Sequence, residues 1–156
     1  MGLSSLRITS FDPKYANAFA ALNVEWLEHF FVVEPHDKVM LEQCETFIIR
    51  KGGYIFFGLY HQEPVATFAF MHVSPGVYEL GKMAVTSTYR GQGIGRRMLE
   101  FGLQFAKEQN WEKIILYSNT KLENAIHLYR QYGFTEIPLE SDNPYQRSNI
   151  KMELCL

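Results

Sequence analysis

The sequence predicts a mixed α/β fold: an antiparallel meander of strands first, a strand-helix-strand crossover in the middle, and helices flanking one central sheet. Three observations carry this. Runs rich in β-branched and aromatic residues at 54–60, 65–73 and 77–85 are separated only by turns, too short for a crossover helix, so they pair antiparallel. A glycine-rich turn then opens an amphipathic helix from Gly93 to Gln109. A second helical stripe stops at Gly133 and leads back into strand-like residues.

The elements follow in order. Leu3 to Thr9 alternates apolar and polar residues as a half-buried strand does. Asp12 suits an N-cap and Pro13 the first helical position, so a helix is expected from Pro13 to His29, with Phe19, Leu22, Trp26 and Phe30 near one stripe. A shorter helix is expected near Asp37 to Gln43. Gly52-Gly53 breaks the chain before the first two meander strands, which are joined by the turn-like His61-Gln62-Glu63-Pro64; Ser74-Pro75-Gly76 turns the chain into the third. In the helix after Gly93, Ile94, Met98, Phe101 and Phe105 form the apolar stripe, and Arg96, Arg97, Glu100 and Gln104 face water. Ile114 to Tyr117 is a short strand. Leu122, Ala125, Ile126 and Tyr129 mark the next helix, and Phe134 to Leu139 and Ile150 to Leu156 the last strands.

With 156 residues and no linker-like stretch, residues 1–156 read as one domain. Its 12 Phe and 9 Tyr supply a sizeable core without a metal or a disulfide. The formal charge of -2, with basic and acidic residues interspersed, argues against a nucleic-acid partner. Cys44 and Cys155 lie in apolar surroundings and are expected as buried free thiols. No run reaches 18 apolar residues and the N-terminus lacks a signal-like pattern, so no membrane partner and a cytoplasmic location are expected. The five histidines form no H-E-x-x-H or Cys/His cluster, so no metal is expected.

The sharpest local feature is Arg90-Gly91-Gln92-Gly93-Ile94-Gly95-Arg96-Arg97, placed between a strand and a helix. A helix start leaves four amides without intrahelical partners and carries the positive end of the helix dipole; glycines let phosphate oxygens reach those amides. The segment reads as an anion nest, to which Arg90, Arg96 and Arg97 add charge. It lacks the Gly-Lys-Ser/Thr of a nucleotide P-loop, and its G-x-G-x-G after a meander is not the dinucleotide fingerprint.

Together with Asn124-Ala125-Ile126-His127-Leu128-Tyr129-Arg130-Gln131-Tyr132-Gly133-Phe134, this segment makes the chain resemble the GNAT superfamily of acyl-CoA-dependent N-acetyltransferases. The first motif matches that superfamily's cofactor loop and the second its other signature, each with a strand before its helix; the close likeness covers Tyr78 to Phe134. The resemblance implies that the central strands, 77–85 and 114–117, splay into a cleft. It implies acetyl-CoA as cosubstrate, with its pantetheine arm along Met83, Ala84 and Val85 and its pyrophosphate on the amides of Gln92 to Gly95. It further places Asn124 beside the cofactor arm and Tyr129 beside the thioester sulfur, where it protonates the leaving thiolate. Glu79 is the candidate base, set by strand parity on the same side as Gly81, Met83 and Val85; a salt-bridged strand residue is the competing reading, as core anchoring is for Tyr129. The Val85 amide is the natural group to polarise the carbonyl. Trp26 and Phe30 line the acceptor side by the same likeness, His72 is a further substrate contact, and Glu25, Glu28, Glu34 and Asp37 are placed to attract a cation. Asn119 reads as the cap of the following helix. The implied acceptor is a primary amine of a small molecule, amino acid or peptide, and the implied assembly a monomer or homodimer. Transfer of a longer acyl group and a CoA-binding sensor without turnover stay open as alternatives.

Overall fold

Residues 54–60 and 65–71 are apolar on both strand faces, so a sheet built from them must be covered on both sides. The computed structural model, which describes residues 5–156, supplies that cover. Strands β1 (Leu6–Ser10), β2 (Tyr54–Tyr60), β3 (Glu63–Ser74) and β4 (Val77–Val85) form the expected antiparallel meander; of the expected first strand, Leu3 and Ser4 lie outside the described residues. Helix α3 (Ile94–Glu108) crosses over to β5 (Lys113–Ser118), which pairs parallel to β4. After α4 (Glu123–Gln131), strands β6 (Thr135–Ile137) and β7 (Ile150–Cys155) close the sheet, with β7 inserted antiparallel between β5 and β6.

The two faces carry separate apolar layers. Phe56, Phe68, Phe70 and Ile114 meet Met98 and Leu99 of α3, with Ile126 and Tyr129 of α4 packed against them. On the other face Ile55, Phe57 and Ala69 meet Phe19 and Leu27 of α1 (Ala16–Phe30) and Leu41 of α2 (Pro35–Glu42).

The differences from the sequence reading are local. Asp12 does accept an amide bond, from Lys14 at 2.9 Å, but it caps a tight turn over Pro13–Tyr15 and α1 begins only at Ala16. Helix α2 starts at Pro35 because Glu34 and Asp37 form a reciprocal capping box that the expected start at Asp37 overlooked. A wide helical turn at Glu45–Ile49, closed by the Arg50 amide on the Glu45 carbonyl at 2.9 Å, had no signal in the residue pattern. Cys44 is buried and free as expected; Cys155 is free but exposed, because β7 ends at the sheet margin.

Two irregularities in β4 matter most. Its pairing with β5 covers only Val77 to Glu79, after which β4 follows β3 and β5 follows β7, and the strands part. Further along, the register steps from Gly81 opposite Ala69 to Ala84 opposite Thr67, so Lys82 and Met83 together face one residue of β3. This is a bulge, with Lys82 at φ 53°. It reverses the alternation: Tyr78 and Leu80 before it, and Met83 and Val85 after it, all pack on the α3 side, whereas a Cβ at Gly81 would meet Met71 of the opposite layer and Glu79 Oε2. Glu79 therefore does not share a face with Met83 and Val85, contrary to the parity argument, because the extra residue breaks the period of two.

Candidate active site

Where β4 and β5 part, a cleft opens. Its outer part is a pocket of about 290 Å³ bordered by Met83 to Val85 of β4, the turn around Gly91, and Asn124 and Leu128 of α4. Its inner part is a cavity of about 100 Å³ bordered by Leu27, Phe31, Glu79, Leu116, Tyr117 and Tyr145. Trp26, Met83, Ala125 and Tyr129 border both, so the bulge joins the two sides of the sheet.

The outer pocket ends on the start of α3. Gly93 is its N-cap at φ 81°, and the first intrahelical bond runs from the Arg97 amide to the Gly93 carbonyl at 3.1 Å, which leaves the amides of Ile94, Gly95 and Arg96 without carbonyls inside the helix. Gly91 and Gly93 need their left-handed backbone, but Gly95 does not: a Cβ there would meet nothing within 4 Å. Neither packing nor strain explains a residue that costs a helix about 1 kcal/mol relative to alanine. Close approach of a ligand to its amide does.

The loop before this helix is held from α1. Glu25 accepts from the Ser87 amide at 2.8 Å and from Arg90 Nη2 at 3.2 Å, while Arg90 Nε donates to the Val85 carbonyl at 2.8 Å. Arg90 thus borders the pocket with its guanidinium engaged by the protein. Arg96 points away, donating to Tyr132 Oη at 3.2 Å and Gln131 Oε1 at 2.9 Å, so it ties α3 to α4 instead of adding charge to the nest. Gln92 is exposed on the turn, and the Ile94 side chain is buried in the core.

The inner cavity contains a set of polar residues that the sequence reading did not single out. Glu79 Oε2 accepts from the Tyr145 hydroxyl at 2.8 Å. Burial pushes the Glu79 carboxyl's pKa up, against the opposing pull of that hydrogen bond and the Lys82 and Lys151 charges. Lys82, turned inward by the bulge, donates to Asp37 Oδ1 at 3.0 Å and lies 4.6 Å from the Tyr145 ring centre. Arg147 grips Asp37 with two bonds, at 2.6 and 3.0 Å, and reaches Glu34 at 3.0 Å. Burial alone raises the Asp37 pKa, but the Arg147 hydrogen bonds and Lys82 outweigh it and hold the carboxyl at about 2. Tyr129 is partly buried on the cleft wall, and desolvation there pushes its hydroxyl's pKa up to about 12.

These contacts correct three expectations. Glu25, Glu34 and Asp37 do not wait for a cation, because Arg90, Arg147 and Lys82 already meet them. His72 is exposed and packs edge-on to Tyr78 at 5.3 Å; it lies opposite Tyr78 in the ladder, at the end where β4 and β5 are still joined, away from the cleft. Asn119 orders a turn, accepting from the Lys121 amide at 2.9 Å and donating to the Arg147 carbonyl at 2.8 Å, while α4 begins later, at Glu123. Trp26 and Phe30 do border the cleft, as do Glu79, Asn124 and Tyr129. Tyr145 and Arg147 had no signal to find them by, because residues 138–149 are polar and aperiodic.

A family model described as acetyltransferase (GNAT) family matches residues 19–134. The chain belongs to this family. Its fold is that of solved GNAT structures: an acetyltransferase of the GNAT family from Staphylococcus aureus Mu50 superposes with a TM-score of 0.82 at 23% identity, covering 95% of this chain and 97% of that one. The PaiA N-acetyltransferase of Thermoplasma acidophilum, solved in complex with coenzyme A, superposes with a TM-score of 0.75 at 13% identity, covering 97% and 99%. Among curated sequences, an uncharacterised Mycobacterium leprae protein is 44% identical over 68 residues, 44% of this chain and 18% of that protein. N-acetyltransferase family 8 member 2 of Rattus norvegicus is 36% identical over 56 residues, 36% of this chain and 25% of that protein. The matched stretches thus span a quarter or less of these two relatives. Among the described residues of this GNAT chain, no helix is long and apolar enough to cross a membrane, and no group of three or more His, Cys, Asp or Glu is placed to hold a metal ion.

Proposed function

We propose that this chain moves an acetyl group from acetyl-CoA to a primary amine by direct attack in a ternary complex. The observation that carries the reading is Gly95: a glycine in regular helix, facing open space, beside amides that have no partner in their own helix and at the mouth of a parted strand pair. A diphosphate fits such a helix start. The cleft wall formed by Met83 to Val85 and Asn124 then takes the pantetheine arm.

Bound acetyl-CoA supplies the thioester carbonyl and the leaving thiol. Glu79 takes the proton of the incoming ammonium, a task for which a carboxylate of raised pKa is suited near neutral pH. Tyr129 keeps its own proton at neutral pH and is placed on the cleft wall to give it to the departing sulfur. The bulge at Lys82 and Met83, more than Val85, is where β4 presents backbone amides outside the β3 ladder to a developing oxyanion.

Gly95→Leu tests the placement. The variant is expected to fold at least as stably as the parent, since leucine is the better helix former, while its CoA affinity by calorimetry falls at least about tenfold. Unchanged affinity in the folded variant overturns the assignment of this helix start as the diphosphate site.

A further inference from the structure

The charges around the inner cavity select the kind of amine that fits there, if the acetyl-transfer reading is right. Two cations line the cavity, and both are matched: Lys82 by Asp37 at 3.0 Å, Arg147 by Asp37 at 2.6 Å and by Glu34 at 3.0 Å. Lys151 and Glu140, beside Tyr117, are paired with each other at 3.1 Å. Glu79 differs from these groups, since the partner that its Oε2 meets is the neutral Tyr145 hydroxyl. Among the residues that line the cavity and the acids that meet them, the charge left over is therefore negative and sits on Glu79. Much of the remaining wall is apolar or aromatic, from Trp26, Leu27, Phe31, Leu116 and Leu122, with Asn23, Ser118, Asn119 and Ser148 as its uncharged polar members. A cationic head with an apolar body complements this lining; a carboxylate does not.

The rim limits size. Lys121, on the loop after β5, donates to the Phe30 carbonyl at 2.6 Å and lies 4.0 Å from the Phe31 ring centre, which ties that loop to the end of α1. Asn119 on the same loop donates to the Arg147 carbonyl, and Thr120 and Asn149 bond each other at 2.9 and 3.1 Å. Arg147 in turn holds the start of α2 through Glu34 and Asp37. These links form a ring around the cavity: α1, the loop after β5, the loop before β7, and α2. An apolar cavity of about 150 Å³ takes a benzene molecule, so the about 100 Å³ here suits an aliphatic body of about four non-hydrogen atoms, with the nitrogen at the mouth toward the outer pocket.

We propose that the acceptor is a compact aliphatic primary amine without a negative charge, in preference to an amino acid or a peptide. The ammonium gives one proton to Glu79 and becomes the nucleophile; its nitrogen forms a bond to the acetyl carbon as the carbon-sulfur bond breaks, Tyr129 gives its proton to the thiolate and is restored by the second proton of the nitrogen, and the products are an N-alkyl acetamide and CoA, with the Glu79 proton passing to solvent.

A matched set separates charge from size: 3-methylbutylamine, leucine, leucinamide and leucyl-glycyl-glycine, each with acetyl-CoA, the amide product being read by mass spectrometry. Expected is a kcat/KM for 3-methylbutylamine at least about tenfold above that for leucine, with leucinamide between them and the tripeptide below leucinamide. Leucine or the tripeptide equalling the amine overturns the proposal. Calorimetry on the same protein keeps the two readings apart. CoA binding together with a preference for leucine sinks the acceptor class alone, as does CoA binding with none of the four acetylated. No CoA binding sinks the acetyl-transfer reading and this one with it.

Discussion

Tyr129 and Glu79 divide the proton chemistry by environment. Desolvation on the cleft wall raises the phenol's pKa to about 12, which keeps it protonated where a thiol of ordinary pKa, ~8.5, is ready to leave as thiolate. Tyr129→Phe is expected to lower kcat by about 10- to 1000-fold with CoA affinity nearly unchanged, because the ring keeps its packing against Phe134 at 5.7 Å. Equal kcat in the two proteins by steady-state assay rejects the acid role. Glu79 is held by the Tyr145 hydroxyl and raised by burial. Glu79→Gln is expected to lower kcat/KM by about 100-fold or more at pH 7, with the deficit shrinking toward pH 10 as the amine loses its proton unaided. A deficit of the same size at every pH excludes the base role. Tyr129 was legible in the residue pattern, on a helix stripe within a recognised motif. Tyr145 was not, because its importance arises from a contact across 66 positions of sequence with Glu79.

At the scale of elements, α2 and the loop before β7 are joined to β4 by charge. Asp37 is fully buried between Lys82 and Arg147, and it also caps its own helix by accepting from the Glu34 amide at 3.0 Å. Removing it leaves two cations desolvated beside the cavity. Asp37→Ala is therefore expected to cost about 3–5 kcal/mol in urea unfolding, and a loss under 1 kcal/mol contradicts the network's role. The same carboxyl gives the fold a defined acid limit. Its folded pKa of about 2 lies below the unfolded value of ~3.9, so its contribution is complete above about pH 4 and disappears as the pH falls through about 2. The stability difference between the parent and Asp37→Asn, followed by urea midpoints, is expected to narrow across that window by on the order of 2 kcal/mol. A constant difference overturns this assignment. The capping box itself was visible as Glu34-Pro35-His36-Asp37, yet the chain alone offers no hint that Asp37's outer oxygens meet residues 82 and 147.

For the whole molecule, alternation, turn chemistry and helix stripes were enough to establish the meander, the crossover and the glycine-lined helix start, because each is set by residues a few positions apart. The two motifs, and the family to which they point, belong to the same short-range class. Only the tertiary structure decided where β4 and β5 part, that a bulge at Lys82 reverses the strand's faces, and which charges around the cleft are already matched. Those outcomes depend on register between strands and on ion pairs spanning 45 and 110 positions, and a one-residue step in register moves every following side chain to the other face. Local patterning therefore specified a cofactor-sized nest, while the character of the acceptor cavity arose from partners brought together only when the sheet closed.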